Sequence, residues 1–371
     1  MKAFVLFALC GGSLTLMAQN VNVSGCTGAG NVVGAATLSA AMSGIALAQP
    51  GANIVIDIVG NTTEPVTTIT IGAGTWTTML IRPQGGAART ITAATTAGIP
   101  MIDLNGADNV TVDGLNTGGN TLTISNTTVS ATSGTSTLRF QIDATNNTIT
   151  RCSIRGSSTM STTTNGGNIW FGAGALTTGS DGNTISSCNI GPAGANLPTK
   201  AIYANGTTTT AALNNSGVSV TGCNIFDWFA ATGTSNGIYV AGGNRDWNIT
   251  NNRIYQTAPR NTTATATIIP IQVANTVSPT NMVITGNTIG FANSSGTGTW
   301  DITGTGNTFI GMALSGLTTG APTFSVQNNT ISGINVSTTI GGSTSSAPFR
   351  GVYVSSGTID FGTTAGNTIG S

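Results

Sequence analysis

A six-residue pattern that recurs along the chain constrains the fold more than any other feature. One copy is Ile284-Thr285-Gly286-Asn287-Thr288-Ile289, with apolar residues at positions one and six and asparagine at position four. Eight copies occur, at spacings of 29 to 42 residues. A self-similar period of this size is typical of solenoids, in which each repeat forms one coil and stacks on its neighbours.

Each copy predicts a strand, a tight turn and a second short strand. The apolar residues at positions one and six should point into a core, and the small or amide residues between them suit a turn rather than a helix. An asparagine at position four can bond to the turn backbone and stack on the asparagine of the next coil. The sequence therefore predicts a ladder made of Asp113, Cys152, Cys188, Cys223, Asn252, Asn287, Asn329 and Asn367.

This repeat resembles that of the right-handed parallel β-helices, the pectin-lyase-like fold, whose inward turn asparagines form such a ladder. The resemblance covers roughly residues 50 to 371. It implies an all-β, right-handed, single-stranded parallel β-helix. It does not specify a function, because this fold carries lyases, hydrolases, adhesins and inert stalks.

The N-terminal residues 1–19 have the features of a secretory signal peptide. Lys2 supplies the positive charge, an apolar run follows, and Leu16-Met17-Ala18 precedes the expected cleavage site. Lipid attachment at Cys10 is disfavoured because the preceding Leu9 is large. No later segment has the ~20 apolar residues of a membrane span. We therefore expect a secreted or surface-held protein.

Residues 20–50 are expected to form an N-terminal segment that covers the first coil. Within it, residues 35–48 place Leu38, Met42 and Ile45 on one face of a helix. Such a cap prevents the open strand edges from pairing with other chains. Residues 51–371 then form one β-helical domain, whose variable coil length is expected to come from outer loops such as 157–167, 206–217 and 341–347.

A second short strand in each later coil has an apolar–x–apolar pattern, whose middle residue should point outward. In coil order, these outward middle residues are Asp103, Gln141, Trp170, Tyr203, Tyr239, Gln272, Ala313 and Tyr353. Aromatic faces flanked by amides can stack on sugar rings and bond their hydroxyls. The competing and favoured interpretation is that the aromatic rings pack beneath loops 172–183, 205–217 and 241–248. The candidate carbohydrate-binding residues in this row are Gln141, Trp170, Tyr203, Tyr239 and Gln272.

An enzymatic site of the kind the fold often carries is not evident from the residues. The chain has no histidine and no adjacent pair of aspartates, and its eleven acidic residues are spread thinly along the coils. Glycoside hydrolysis needs two carboxylates across one cleft. Asp57 and Asp103 could share a face, but Arg82 lies in the coil between them, and an ion-paired Asp–Arg–Asp row is the simpler interpretation.

Cys152, Cys188 and Cys223 occupy one ladder position in successive coils, so their Cα atoms should stack about 4.8 Å apart. Parallel Cβ vectors fit disulfide geometry poorly, and a straight stack does not give the tetrahedral convergence of a zinc site. We expect buried free thiols, with one strained disulfide as the alternative, and no metal or other cofactor. Cys26 has no evident partner.

Composition limits the possible partners. Only 6% of the residues are charged and the formal net charge is zero, so neither nucleic acid nor an anionic membrane surface is indicated.

The chain is similar to large secreted repeat proteins of Bacteroidota in its signal sequence and in its segments 61–64 (NTTE) and 105–111 (NGADNVT). The predicted function is a non-enzymatic, glycan-binding or adhesive module on a cell surface. A polysaccharide lyase or glycoside hydrolase with an atypical site, an ice-binding face built on threonine, and a purely structural stalk are the alternatives. Irregular coil length counts against ice binding.

The C-terminal residues 367–371 stop within a repeat, and no capping module follows them. Repeat arrays need terminal caps for solubility. The sequence therefore predicts either a continuation of the chain or self-association through its last coil.

Overall fold

The computed structural model of the protein describes residues 19–174, 176–275, 281–316, 324–340 and 347–370. The predicted signal peptide lies outside these residues except for Gln19, as does most of the predicted loop 341–347. The described residues form the predicted all-β solenoid of parallel strands, with a short helix at its N-terminal end. No helix among them is long and apolar enough to cross a membrane.

Three long sheets run the length of the solenoid, and successive strands of the chain visit them in turn. Sheet I has 12 strands, which in spatial order are Val32–Ala35, Val21–Ser24, Asn53–Ile58, Thr78–Pro83, Val110–Asp113, Thr148–Thr150, Thr184–Ser186, Ser219–Thr221, Asn248–Thr250, Met282–Thr285, Phe324–Gln327 and Ile359–Phe361.

Sheet II follows the turn that contains the ladder position. Its ten strands are Thr62–Thr63, Ala88–Ala93, Thr121–Ser130, Ser153–Ser158, Asn189–Pro192, Asn224–Phe226, Arg253–Tyr255, Thr288–Gly290, Thr330–Ser332 and Thr368–Ile369.

Sheet III completes each coil. Its nine strands are Ile69–Gly72, Pro100–Asn105, Ser136–Gln141, Gly167–Phe171, Lys200–Ala204, Gly233–Val240, Ala266–Ala274, Asn307–Ser315 and Phe349–Ser356. Two small sheets are also present. One pairs Asn215–Ser216 with Asn244–Arg245, and the other contains Arg260–Thr262, Trp300–Gly304 and Ile334–Val336. A 3₁₀ turn spans Ala211–Leu213.

The repeat pattern matches this architecture position by position. Position one, for example Ile249 and Ile284, is an inward residue of sheet I, and position six, for example Ile254 and Ile289, is an inward residue of sheet II. Position three adopts the left-handed conformation, with φ of 56° at Asn251. Glycine and asparagine tolerate this conformation at little cost, which explains their frequency at that position.

The asparagine ladder is present. The backbone N–H of Asn252 donates to Asn287 Oδ1 at 3.0 Å, that of Asn287 to Asn329 Oδ1 at 3.0 Å, and that of Asn329 to Asn367 Oδ1 at 2.9 Å. Each Nδ2 also donates to a carbonyl of the preceding coil, as from Asn287 to Ile249 at 2.8 Å. The ladder therefore satisfies the turn backbone that the solenoid buries.

Asp113 is not part of the ladder, contrary to the predicted alignment. Val112, rather than Val110, pairs with Ile149, so the copy at residue 110 is shifted by two residues. Asp113 instead accepts a hydrogen bond from the backbone N–H of Leu115 and forms an ion pair with Arg151. From the sequence alone, either Val110 or Val112 could be aligned with Ile149, because both are apolar and lie two residues apart. The observed pairing of Val112 with Ile149 selects the second alignment.

The three cysteines continue the ladder as free, buried thiols. Cys223 N–H donates to Asn252 Oδ1 at 2.9 Å, and the Sγ atoms of Cys152 and Cys188 lie 3.2 Å from the carbonyl oxygens of Thr150 and Ser186. Cys26 is also free and half-buried. Among the described cysteines the disulfide alternative is therefore wrong.

Thiol accessibility should follow this arrangement. In the folded protein, a water-soluble alkylating reagent should leave Cys152, Cys188 and Cys223 unmodified, because all three side chains are buried. In denaturant without a reductant, all three should be alkylated. Peptide mass spectrometry measures both states, and a cysteine that stays blocked in denaturant until a reductant is added would contradict the free-thiol assignment.

The helix of the N-terminal cap is shorter than predicted, and a strand also contributes to the cap. The helix spans Leu38–Gly44 and buries the predicted apolar face. Its first two N–H groups, of Leu38 and Ser39, donate to the carboxylate of the buried Glu64 at 2.9 and 2.8 Å. The strand Val21–Ser24 also covers the first sheet edge by pairing antiparallel with Asn53–Ile58. An acidic side chain at a helix N-terminus is favourable because it satisfies exposed donors.

The last coil has no such cover among the described residues. Several of its large apolar side chains are exposed, with Phe361 at 41% and Ile369 at 47% of their surface. In earlier coils the equivalent positions, Val326 and Ile331, are almost fully buried. Exposed apolar residues beside unpaired strands favour association.

We expect a purified chain that ends at residue 371 to self-associate through this coil, because its apolar side chains are exposed. Replacing Ile369 with lysine places a charge among the apolar residues. Burying this charge in the association interface should cost at least about 1.4 kcal/mol, which shifts the equilibrium toward monomer by about tenfold. Sedimentation equilibrium measures this. Val33→Lys, an exposed apolar residue at the other end, is the control. A chain that stays monomeric at high concentration without the substitution would contradict the expectation.

Candidate functional site

Most of the described acidic residues form ion pairs or accept hydrogen bonds within the local structure. Asp57 pairs with Arg82 at 2.8 Å on sheet I, whereas Asp103 pairs with Arg139 at 2.6 Å on sheet III. The predicted Asp57–Arg82–Asp103 row is therefore wrong in its third member. The early strands resemble one another in sequence, which concealed that they belong to different sheets.

Other carboxylates hold loops. Burial would raise the pKa of Asp143, but hydrogen bonds from Thr177, Leu176 and Gly179 outweigh it and lower that pKa overall. Asp227 similarly accepts from Thr257 and pairs with Arg260. In the part of the chain that the structure describes, no group of three or more His, Cys, Asp or Glu side chains could hold a metal ion.

The outer face of sheet III carries the predicted row of aromatic residues. Trp170, Tyr203 and Tyr239 pair in register on successive strands. Gln272 follows Tyr239, and Ala313 and then Tyr353 continue the row. The row is therefore continuous from one end of the sheet toward the other.

Gln141 does not belong to this row. Arg139 pairs with Trp170 and with Asp103, while Gln141 pairs with Asn105 one pleat further along. The apolar–x–apolar pattern predicts Phe140-Gln141-Ile142 as the strand, but Ile142 and Asp143 are in the left-handed conformation with φ of 56° and 60°, so the strand ends before them. The inward pair is Leu138 and Phe140, and a two-residue slip moved the predicted row from Arg139 to Gln141.

Trp170 and Tyr203 are buried, with 7% and 4% of their surface exposed. Trp170 Nε1 donates to Asn205 Oδ1 at 2.7 Å, and the Arg139 guanidinium lies 5.3 Å from its ring. Tyr203 packs on Tyr239 at 5.3 Å between centroids. These two rings are therefore covered, as the favoured packing interpretation expects, and they do not offer the exposed faces that the carbohydrate-binding interpretation requires.

Lys200 completes this packed region. Its fully buried ammonium lies 4.0 Å from the Tyr203 ring and donates to the carbonyls of Ser161, Thr162 and Thr164. Burial lowers the pKa of Lys200 to about 7 and, together with the neighbouring Tyr239, raises the pKa of Tyr203 to about 12. Lys200 thus ties the loop after residue 160 to the row.

The row becomes accessible beyond Tyr203. Tyr239 and Gln272 are half-buried, and Tyr353 is 40% exposed. Between Gln272 and Tyr353 stands Ala313, whose small side chain leaves a groove of about 260 Å³. The groove is lined by Gln272, Val273, Ala274, Ala313, Leu314, Ser315, Tyr353 and Ser355.

The groove presents an aromatic wall and an oriented amide. Asn236 Nδ2 donates to Gln272 Oε1 at 2.8 Å, so the Gln272 NH₂ group is left as a donor beside the groove. Ser315 and Ser355 add hydroxyls to the lining, and the Ser315 Oγ atom lies 2.8 Å from Ser356 Oγ. An aromatic ring with amide and hydroxyl groups in a shallow groove can stack on a sugar ring and bond its hydroxyls.

Sequence reasoning did not single out Ala313 and Tyr353 as site residues, although both stood in the predicted row. The sequence feature that indicates the groove is Ala313, which lies between Gln272 and Tyr353 in a row otherwise made of large side chains. Small residues flanked by large ones indicate a gap, but only if the register is known.

Sheet I has an outer face of a different kind. Thr148, Thr184 and Ser219 pair in register in one outward row, and Thr150, Ser186 and Thr221 pair in the next. The variation in coil length arises in loops outside these strands. The second row continues through Thr250 and Thr285, whereas the first row passes to Asn248 and Val283 after Ser219, so only one hydroxyl row extends beyond these coils.

The chain matches no protein-family model and no curated protein. Among solved structures it is similar to the Dettilon tailspike protein, with a TM-score of 0.36 and 12% identity over 81% of this chain and 64% of the tailspike chain, so it spans less than two thirds of that protein. It is also similar to the Streptococcus pneumoniae surface protein and adhesin PfbA, with a TM-score of 0.32 and 11% identity over 87% of this chain and 91% of that chain.

Proposed function

We propose that this protein is a secreted or surface-held, non-enzymatic β-helix that binds glycans on the outer face of sheet III. Residues 1–19 act as its signal peptide, residues 20–50 as its N-terminal cap and residues 51–371 as its β-helical domain. The groove over Ala313, bounded by Gln272 and Tyr353, is the observation that carries the proposal. Tyr239 extends the binding surface along the row.

The distribution of charge supports binding rather than catalysis. Asp57, Asp103, Asp113 and Asp227 each form an ion pair with an arginine of another coil. Glu64 caps the helix, and Asp143 holds a loop. Paired carboxylates of this kind are structural, and the groove lining contains aromatic, amide, hydroxyl and aliphatic side chains.

A polysaccharide binding screen tests the proposal. The purified chain is run by affinity electrophoresis through gels that contain neutral or acidic polysaccharides, and the same polysaccharides are assayed for new reducing ends and for unsaturated products. We expect retardation by at least one polysaccharide without product formation. Product formation would favour the enzyme alternative, and mobility unchanged by every polysaccharide would refute glycan binding.

Ice binding by sheet I is a second candidate, favoured by its registered hydroxyl rows. A Thr221→Lys change would interrupt one row. Thermal hysteresis that is present in the unaltered chain and lost in this variant would support ice binding, and its absence in the unaltered chain would exclude it.

A further inference from the structure

A single arginine stands beside the proposed glycan groove. Arg350 precedes Tyr353 on the strand Phe349–Ser356, and its Cζ atom lies 4.7 Å from the centroid of the Tyr353 ring. Tyr353 forms part of the groove wall. The guanidinium therefore lies next to a residue of the groove without lining the groove itself, and stacking on the Tyr353 ring restrains its position.

Arg350 differs from several other arginines of the chain because no described aspartate forms an ion pair with it. Arg82, Arg139 and Arg260 each pair with an aspartate. Among the residues that the structure describes, no carboxylate forms an ion pair with Arg350, and its buried Nε atom has no hydrogen-bond acceptor. An arginine that has no carboxylate partner within the protein can pair with an anion that a ligand supplies.

Lys200 shows what the same arrangement looks like when it is satisfied internally. It also lies three residues before a tyrosine and over that ring, at 4.0 Å from Tyr203. However, Lys200 is fully buried, and carbonyls of the loop at 161–164 accept its hydrogen bonds. Arg350 is half-buried and lacks an equivalent set of acceptors among the described residues.

We propose that the glycan bound in the groove carries an anionic substituent, a carboxylate or a sulfate, which the Arg350 guanidinium recognises. This inference rests on the proposed glycan-binding function. A planar guanidinium offers parallel N–H donors that match two oxygens of a carboxylate or sulfate, which makes arginine selective for such groups. Tyr353 and Gln272 then hold the sugar ring, and Arg350 selects its charge.

Matched polysaccharide pairs test this inference. Affinities are measured by biolayer interferometry for carboxymethylcellulose against hydroxyethylcellulose, polygalacturonate against its methyl ester, and dextran sulfate against dextran. The first two pairs test carboxylate and the third tests sulfate. Polyglutamate, which has charge but no sugar, is included as a control ligand. The protein is compared with Arg350→Gln and with Arg253→Gln, which removes an exposed charge from sheet II.

We expect the protein to bind the anionic member of at least one pair more tightly than the neutral member. Arg350→Gln should lower that affinity about tenfold, which is about 1.4 kcal/mol, and abolish the preference, because the charged hydrogen bond to the anionic group is lost. Arg253→Gln should leave the affinity within about twofold.

Three results would overturn the inference while leaving glycan binding intact: equal affinities within every pair, a preference that survives Arg350→Gln, or a preference lost equally in Arg253→Gln. Binding of polyglutamate as tight as that of the anionic glycans would also overturn it. Failure to bind any member of any pair, together with a negative polysaccharide screen, would refute the proposed function as well. Thermal unfolding of each variant confirms that it is folded.

Discussion

Replacing Asn287 with alanine is expected to lower the free energy of unfolding by roughly 2–6 kcal/mol, because it leaves at least two buried groups unpaired at about 1–3 kcal/mol each. Asn287 Oδ1 accepts from both the backbone N–H and Nδ2 of Asn252, and Asn287 Nδ2 donates to the Ile249 carbonyl. Alanine removes all of these bonds, and the site is fully buried, so water cannot replace them.

Chemical denaturation monitored by circular dichroism measures this effect. Asn224→Ala is the matched control, because Asn224 is half-buried on the outer face of sheet II and makes one side-chain bond, from Nδ2 to Asn189 Oδ1 at 2.8 Å. We expect the control to cost less than about 1 kcal/mol, as surface changes usually do. Equal costs for the two variants would show that the ladder does not stabilise the solenoid in the way described here.

The second large effect concerns binding. Replacing both Tyr353 and Gln272 with alanine should reduce affinity for the polysaccharide identified in the screen by at least about thirtyfold, since an aromatic anchor in an interface is typically worth 2 kcal/mol or more. The reason is that the change removes the stacking surface and the oriented NH₂ donor together. Biolayer interferometry against the immobilised polysaccharide measures the loss.

Phe361→Ala is the control for this variant. Phe361 is 41% exposed and belongs to the last coil, in the strand that follows the strand of Tyr353, but it lies on sheet I rather than sheet III. Its loss should leave affinity nearly unchanged. If the control weakens binding as much as the double variant does, the last coil as a whole, rather than the groove, is responsible.

The sequence was sufficient to predict the solenoid and most of its ladder. Ile249, Asn252 and Ile254 define the strand–turn–strand unit through apolar spacing and turn chemistry, both of which are local properties. Asp113 was misplaced because two alignments of Val110 and Val112 satisfy the same alternation. Only the pairing of Val112 with Ile149 distinguishes them, and strand pairing is not a local property.

A second set of asparagines escaped the sequence reading. Asn147 donates from both its backbone N–H and its Nδ2 to Asn183 Oδ1 at 3.0 Å, at the turn that enters sheet I. Both residues stand two positions before position one of their copies. The column is then continued by Val218 and Trp247, so it lacks the repetition that would have identified it.

The candidate site was predicted only in part. Alternation correctly placed Tyr239 and Gln272 on the outer face of sheet III. Burial of Trp170 and Tyr203 depends on contacts with Asn205, Lys200 and neighbouring rings, which are distant in sequence or lie in loops. A period-two pattern fixes which way a side chain points, but it does not determine what covers it.

Filling the groove tests the central claim most directly. Ala313→Leu adds a branched side chain to the groove floor between Gln272 and Tyr353 without removing any group that is proposed to contact the glycan. Thr250→Leu, on the outer face of sheet I, is the control. Isothermal titration calorimetry with an oligosaccharide of the bound polysaccharide should show affinity lost for Ala313→Leu, with unfolding unchanged, and kept for Thr250→Leu. Full affinity in Ala313→Leu would show that the glycan does not bind in this groove.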